Sequence, residues 1–385
     1  MNRRIQGVLR AIKHIIYMHA DHFEMAGGYR VEANKDPDIL EQKLVVLIED
    51  FKKTKIKPSL FVHPWFGVRY QKEKVVITPS AASMVLKKYL KQLEDTGADI
   101  NLHIHHERWT NTDLVIEPWK TLLRENKVND AQMLRTYIET SKEFFKEAGI
   151  DMESWGFVHG MWALNASDKR ACNISNELII LNEHGCFGDF TFPAGRERCS
   201  PKMSGIFFVP PKKGRKVYNI GLPLIPRRNQ LVNPKMFIVF YPTTRNVFTA
   251  IDSLLLHKGE RAYYYNTTLS PNTFAGKNTV GALCPEDPRE IVQEWLLSSM
   301  VIDRTLIIKT NAHSMNDDFW LIDGKVENKS PLFHPDHVER MGILERFANK
   351  FEVEIHYLTA RELYAFTKAI DKGKPSDRFF KEIKK

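Results

Sequence analysis

The sequence is poor in the features that mark several large protein classes. Its 385 residues include only four cysteines, none in CxxC spacing, so we expect neither a disulfide scaffold nor a structural zinc motif. No window reaches the roughly 20 apolar residues of a membrane span. The basic start, MNRRIQGVLRAIKHIIY, is interrupted by charged residues and is followed by no small-residue cleavage site. We therefore expect a soluble, cytoplasmic protein without a transmembrane segment.

The motifs of several catalytic classes are missing as well. There is no GxSxG nucleophile elbow, no GxxxxGK[ST] phosphate loop and no GxGxxG dinucleotide fingerprint. A net charge of +9 favours an anionic partner, because a positive field attracts anions. Lysines and arginines are scattered and are not interleaved with aromatic residues, so we predict no specific nucleic-acid binding.

What is present is one repeated unit, a short β-rich run that ends in a polar residue and precedes an amphipathic helix. This alternation predicts a mostly parallel sheet, either closed into a barrel or open and doubly wound. We expect strands at 14–20, 58–62, 100–105, 155–158, 186–190, 236–241, 305–310 and 353–358, and helices that include 38–54, 338–351 and 360–369.

The chain is interpreted as one domain over residues 1–370. Residues 196–235 are richer in Pro, Lys and Arg and less periodic, which indicates an irregular insertion. Residues 371–385 read as a charged C-terminal tail.

Metal-capable side chains stand at the predicted carboxyl ends of five strands, where functional groups of α/β proteins gather. The run NLHIHHERW is the densest, because His103 and His105 point to the same side of a strand and the following loop could add His106 or Glu107. Imidazole and carboxylate suit zinc and similar divalent ions. The rim residues are Asp21, His63, His103, His105, His159 and His313.

Other candidates are weaker one by one. In MHADHFE, Asp21 lies between His19 and His22 with Glu24 close behind, and Asp21 fits a metal ligand or a general base equally well. Trp162 could stack on a sugar face, and His313 could donate a proton to a leaving group. His63 and Lys309 are candidate substrate contacts.

The order of five motifs resembles a divergent group of polysaccharide-deacetylase-like proteins, similar to the NodB-type carbohydrate esterases, from about residue 15 to about residue 370. The motifs are HADHFE, HIHHE, FVHGMWALNAS, NELIILNEHGCFGDFTFPA and KTNAHS. The resemblance implies a distorted (β/α)7-type barrel. It also implies a divalent metal, zinc first, with Co²⁺, Ni²⁺ or Mn²⁺ as alternatives, held by an aspartate and two histidines.

Residue by residue, Asp21 resembles the aspartate of the first motif and His103 the first histidine of the second. The other ligand four residues on would be Glu107, and His105 is an equally good physical candidate. His159 stands where the wider family has an arginine, and His313 resembles the late histidine that assists the leaving group. The sequence departs from the family at His22, a further candidate metal ligand that stands where a second aspartate is usual, and at Asn311, where the divergent group has a histidine.

The resemblance therefore implies a metal-dependent hydrolase that removes an acetyl group from an N-acetylated sugar, with Asp21, His159 and His313 as catalytic residues. The expected substrate is an acetylated saccharide or a nucleotide-linked or lipid-linked sugar. Two alternatives stay open, namely an inactive carbohydrate-binding protein and a metal-dependent hydrolase of a phosphoester or glycosidic bond.

Overall fold

The computed structural model describes most of the chain, and the statements below concern that part. The described residues are 3–24, 37–72, 74–109, 116–118, 129–160, 163–169, 171–191, 205–224, 237–241, 288–315, 321–322, 325–326, 331–333 and 335–383.

Strands and helices alternate along most of the chain. The strands are β1 (His14–Phe23), β2 (Pro58–Val62), β3 (Gly67–Gln71), β4 (Lys74–Thr78), β5 (Asp99–Ile104), β6 (Glu107–Trp109), β7 (Ile116–Pro118), β8 (Trp155–His159), β9 (Cys186–Asp189), β10 (Gly205–Val209), β11 (Leu222–Pro223), β12 (Phe237–Tyr241), β13 (Met300–Ile302), β14 (Thr305–Ala312), β15 (Leu321–Ile322), β16 (Lys325–Val326) and β17 (Glu354–Tyr357). The helices are α1 (Arg3–Ala11), α2 (Pro37–Phe51), α3 (Ala81–Asp95), α4 (Asp130–Glu147), α5 (Glu177–Glu183), α6 (Pro288–Ser298), α7 (Pro335–Lys350), α8 (Ala360–Asp371) and α9 (Ser376–Ile383).

Local sequence explains several helix ends. Ser80 and Thr359 each begin a helix with a capping box, in which their hydroxyls accept the N–H groups of Ser83 and Glu362. Asn129 caps α4 by accepting the N–H groups of Ala131 and Gln132. Gly97 follows α3 in the left-handed region at φ +93°, which glycine adopts readily at a helix end.

The main sheet contains a run of parallel strands in the order β12, β9, β8, β5, β2, β1 and β14. It curls into a half-barrel. The predicted α/β class is confirmed, whereas the closed (β/α)7-type barrel stays a prediction. No helix in the described ranges is both long and apolar enough to cross a bilayer.

The strand β1 lies inside the sheet and has three partner strands. Its first half pairs with β17 and its second half with β2 on one edge, while β14 pairs along the other edge from His14↔Thr305 to Asp21↔Ala312. All ten of its residues are buried. Such complete burial is expected of a central parallel strand that is covered on both faces.

Each face of the sheet packs against helices. On the face that we call inner, Met18 and Ala20 of β1 join Val158 of β8 in a cluster with Leu363 and Phe366 of α8. On the outer face, the alternate side chains pack against α1 to α7, in two clusters that contain Leu44, Leu90, Leu134 and Leu178, and Ile5, Tyr17, Trp295 and Leu344. Consecutive side chains of a strand therefore enter different environments.

Two segments differ from the interpretation of the sequence. Part of the predicted insertion joins the main sheet, because β10 pairs antiparallel with β12 and β11 pairs with β10. The apolar run GIFFV drives this pairing, and Phe207 and Phe208 are fully buried. Residues 376–383 are not a free tail, because they form the amphipathic helix α9 with Phe379 and Phe380 against α8.

Gly185, which closes α5, is a sensitive backbone position. It has φ +90°, and an added Cβ would lie 2.2 Å from the carbonyl oxygen of Glu153. We expect Gly185→Ala to lower the free energy of unfolding by at least about 2 kcal/mol, as measured by urea denaturation. Gly7→Ala is the matched control. Gly7 lies in α1 with no atom within 4 Å of an added Cβ, so alanine there should stabilise by about 0.5–1 kcal/mol. Equal effects of the two changes would contradict the assignment of strain to Gly185.

Candidate functional site

The carboxyl ends of four neighbouring strands bring histidines and one glutamate to a common edge, which we call the rim. Glu24 follows β1, His63 follows β2, His105 follows β5, and His313 follows β14. His103 is the penultimate residue of β5 and points to the inner face, because Leu102 and Ile104 pack into the outer core. The parallel arrangement therefore collects side chains that are far apart in the sequence.

Glu24, His103 and His105 form the tightest set at the rim, and we call these three residues the rim group. The Oε2 atom of Glu24 lies 3.2 Å from Nε2 of His103 and 2.5 Å from Nε2 of His105, and the two Nε2 atoms are 3.0 Å apart. Glu24 and His103 are buried, while His105 is partly exposed. Three ligand atoms of the types that bind divalent metals thus face one another within 4.8 Å.

The hydrogen bond at the far side of His103 fits a metal ligand. Its Nδ1–H donates to the carbonyl oxygen of Val158 at 2.8 Å, which leaves a lone pair on Nε2 that faces Glu24 and His105. A backbone carbonyl that orients a histidine in this way is the usual partner of a metal-ligating imidazole. The rim group therefore has the donor set and the orientation to hold a divalent cation.

Glu24 is the acidic residue of the rim group. Burial pushes the pKa of Glu24 upward, but His105 and His103 outweigh it and hold the pKa well below its usual range. Glu24 is therefore ionised at neutral pH, as a carboxylate ligand must be.

Three more histidines surround the rim group. The His22 ring lies 4.7 Å from the His313 ring and 5.4 Å from the His103 ring. Nε2 of His313 lies 3.5 Å from Oε1 of Glu24. Nδ1 of His63 donates a hydrogen bond to the carbonyl oxygen of His103 at 3.2 Å. Burial lowers the pKa of His22 well below 6.5 and that of His63 to about 3, so both rings are neutral at pH 7.

Asp21 does not join the rim group, because β1 continues to Phe23 and its side chains alternate. Ala20 packs on the inner face and Tyr17 and Phe23 on the outer side, which places Asp21 outward and Glu24 inward. Oδ1 of Asp21 accepts the N–H of Ser314 at 3.0 Å, while Oδ2 has no hydrogen bond among the described residues. Burial raises the pKa of Asp21 to about 6.

His159 belongs to a different set, which we call the second group. It consists of His106, His159, Cys172 and Glu177, all buried, with ligand atoms within 4.8 Å of one another. His159 follows Phe157 onto the outer face of β8 and is therefore separated from His103 by the sheet. Its position differs from the rim position that the sequence suggests.

The remaining predicted residues have varied positions. Lys309 on β14 is buried and donates from Nζ to the carbonyl oxygen of Phe190 at 2.7 Å, and burial lowers its pKa to about 8. Glu107 begins β6, which pairs with β7 and not with the main sheet, and its side chain lies outside the described part. Trp162 also lies outside the described residues.

The predicted ligands do not include Glu24. The alternation of side chains along MHADHFE nevertheless places Glu24 on the same side as His22 and on the opposite side from Asp21. Cys172 and Glu177 are also absent from the predicted site residues. No spacing signal links them to His159, since the loop at 163–176 brings them together.

Asp189, at the end of β9, offers a pH-dependent test of this region. It is fully buried, its two oxygens accept the hydroxyl and the N–H of Thr191, and burial raises its pKa to about 8. Between about pH 4 and pH 8 the unfolded chain releases this proton while the folded chain keeps it. Stability should therefore fall as the pH rises through this window.

Replacing Asp189 with asparagine removes that proton from both states. We expect urea denaturation between pH 5 and pH 8 to show a flatter dependence for Asp189→Asn than for wild type, by up to about 1.4 kcal/mol per pH unit. Parallel pH profiles for the two proteins would show that Asp189 is ionised in the folded state.

Comparison with known proteins identifies no relative, since no family model, curated protein or solved structure matches the chain. What can be said of the site therefore comes from its own geometry.

Proposed function

We propose that this chain is a metal-dependent hydrolase that removes an acetyl group from an N-acetylated saccharide. The observation that carries the proposal is the convergence of Glu24, His103 and His105 at the carboxyl rim of a parallel sheet, with His103 oriented by a backbone carbonyl. Catalytic residues gather at this rim in barrel enzymes, and the run of seven parallel strands from β12 to β14, beside which β17 is an additional parallel partner of β1, supports the distorted (β/α)7-type architecture.

The donor set favours catalysis over a purely structural role. Two histidines and a glutamate are the three protein ligands of several catalytic zinc sites, which leave the fourth position to water or substrate. A divalent ion held by Glu24, His103 and His105, zinc first, would polarise the acyl carbonyl and make water a better nucleophile. His105 is partly exposed, so substrate can reach the rim group from solvent.

The chain supplies groups that can move the protons of an amide hydrolysis. His22 is neutral because burial lowers its pKa, and its Nε2 has no hydrogen bond among the described residues, so Nε2 can accept the proton of the attacking water. The His313 ring lies 4.7 Å from the His22 ring, so the proton that His22 takes from water can pass to His313, whose Nδ1 has no hydrogen bond in the same part of the chain, and from there to the departing amine.

Asp21 takes a positioning role in this scheme in place of the catalytic role that its motif suggests. By accepting the N–H of Ser314, it anchors the residue that follows His313 and so fixes the end of β14 beside β1. His159 is likewise assigned no proton transfer, because it belongs to the second group.

The substrate is proposed to be an acetylated saccharide that carries negative charge, such as a nucleotide-linked or lipid-linked sugar. The net charge of +9 supports an anionic substrate.

The experiment is a metal-reconstitution assay on the full chain. Protein stripped with a chelator is reloaded separately with Zn²⁺, Co²⁺, Ni²⁺ or Mn²⁺ and incubated with free and nucleotide-linked N-acetyl sugars. Acetate, phosphate and reducing ends are measured in parallel. We expect metal-dependent release of acetate alone, lost in His103→Ala and retained in His184→Ala, a histidine at the end of α5.

The other outcomes discriminate between the rival functions. Release of phosphate or of reducing ends would replace the deacetylase proposal with a hydrolase of another bond. Bound metal and saccharide without any product would indicate a carbohydrate-binding protein.

A further inference from the structure

The second group lies where four separate segments meet. His106 follows the end of β5, His159 ends β8, Cys172 lies in the loop before α5, and Glu177 is the first residue of α5. The exposed fraction is 4% or less for each of the four. One thiol, two imidazoles and one carboxylate are thus enclosed together within 4.8 Å.

The hydrogen bonds around this group leave two buried atoms without a partner. Oε1 of Glu177 lies 3.3 Å from Nε2 of His159, yet neither atom makes a hydrogen bond among the described residues. Nε2 of His106 lies 3.3 Å from the same oxygen. Buried polar atoms that lack a partner cost about 1–3 kcal/mol each and require an explanation.

The hydrogen bond at Nδ1 of His159 fixes the tautomer of its neutral ring. Its Nδ1–H donates to the carbonyl oxygen of Gly160, so the neutral ring presents a lone pair at Nε2. That lone pair faces a carboxylate oxygen, which also carries only lone pairs. The contact is repulsive unless a proton or a cation lies between the two atoms.

Backbone N–H groups hold Glu177 and Cys172 of the second group in place. Oε2 of Glu177 accepts the N–H of Asn165, and the Sγ of Cys172 accepts the N–H of Ile174 at 3.5 Å. Outer partners of this kind orient ligands toward a metal. They leave Oε1 of Glu177 to face the two imidazoles.

We propose that His106, His159, Cys172 and Glu177 bind a structural zinc-class ion. Four protein ligands fill a tetrahedral zinc site and leave no open position, unlike the three-residue rim group. The ion would tie β5, β8 and α5 together. It would also fix the loop at His106, whose chain neighbour His105 belongs to the rim group. This proposal does not rest on the hydrolase function.

The test uses Co²⁺ as a probe, because a cysteine thiolate bound to Co²⁺ gives a near-ultraviolet charge-transfer band that imidazole and carboxylate do not give. The chelator-stripped full chain is titrated with Co²⁺ alone, and its absorption spectrum and metal content are measured. We expect two ions per chain and a thiolate band in the wild type.

Matched variants assign the band. Cys172→Ser should abolish the band and remove one ion, whereas Cys186→Ser should change neither, since Cys186 is also buried but donates to the carbonyl oxygen of Gly188. His103→Ala should remove the other ion and keep the band. Failure of the rim group and failure of the second group are thereby distinguishable.

A measurement on the wild-type protein alone can overturn the proposal, so the test does not require a variant that folds. Absence of a thiolate band in folded wild type loaded with Co²⁺ would refute it, as would a band that persists in Cys172→Ser. Glu177→Gln provides an isosteric second variant, which should weaken binding of the ion that gives the band by more than about 10-fold.

Discussion

Replacing Glu24 with glutamine is expected to release the metal from the rim group and to abolish hydrolysis. Glutamine keeps the volume of the side chain but removes the anionic oxygen that lies between His103 and His105. Loss of an outer partner typically costs 10- to 100-fold in metal affinity, so loss of a direct ligand should exceed about 100-fold. Isothermal titration with Zn²⁺ and the acetate assay measure the two effects.

Asp21→Asn is the matched control for this prediction, because asparagine keeps an oxygen that can accept the N–H of Ser314. We expect metal affinity near that of the wild type and a loss of activity below about 10-fold. The reverse pattern, in which Asp21→Asn loses the metal and Glu24→Gln retains it, would return the ligand role to Asp21.

Replacing Phe380 with alanine is expected to cost about 3–5 kcal/mol of unfolding free energy. The ring is 1% exposed, and it stacks on His356 at 3.6 Å between centroids and contacts Phe366 at 5.6 Å. Alanine would leave a cavity between α9, α8 and the end of β17. Urea denaturation measures the change.

Ile383→Ala, in the same helix, is the control for Phe380→Ala. Ile383 is 49% exposed, so its truncation should change stability by no more than about 0.5 kcal/mol. If both changes proved neutral, residues 376–383 would behave as the free charged tail that their composition suggests.

The sheet was predictable from the sequence because its strands are short apolar runs followed by turn or helix signals. The predicted strands at 58–62, 155–158 and 305–310 differ from the observed ones by a few residues at most. Alternation also predicted that His103 and His105 share a side of β5, and their Nε2 atoms lie 3.0 Å apart.

The ligand set was less predictable because it depends on where β1 ends. If the strand stopped at Ala20, the following loop could direct Asp21 to the rim. The ladder with β14 continues to Asp21, and the ladder with β2 continues to Phe23. Because the strand continues to Phe23, Glu24 and not Asp21 reaches the rim. Apolar patterning does not fix the end of the strand in a run as polar as HADHFE.

The helix α9 was missed for a different reason. DKGKPSDRFFKEIKK is dominated by charge, and a single aromatic pair gives little periodic signal. Its packing is decided by contacts with His356 and Phe366 and with His14, which lies at the other end of the sequence.

The pairing of β1 with strands from the end of the chain also has a consequence for biosynthesis. Of its three partner strands, β14 and β17 are made after β2, and the side chains of His14 and His356, which share a hydrogen bond, are 342 positions apart. At translation rates of about 5–20 residues per second, β1 waits on the order of tens of seconds for its neighbours to leave the ribosome. The nascent chain exposes apolar strand edges during that time, and such edges make a chain prone to aggregation until they are paired.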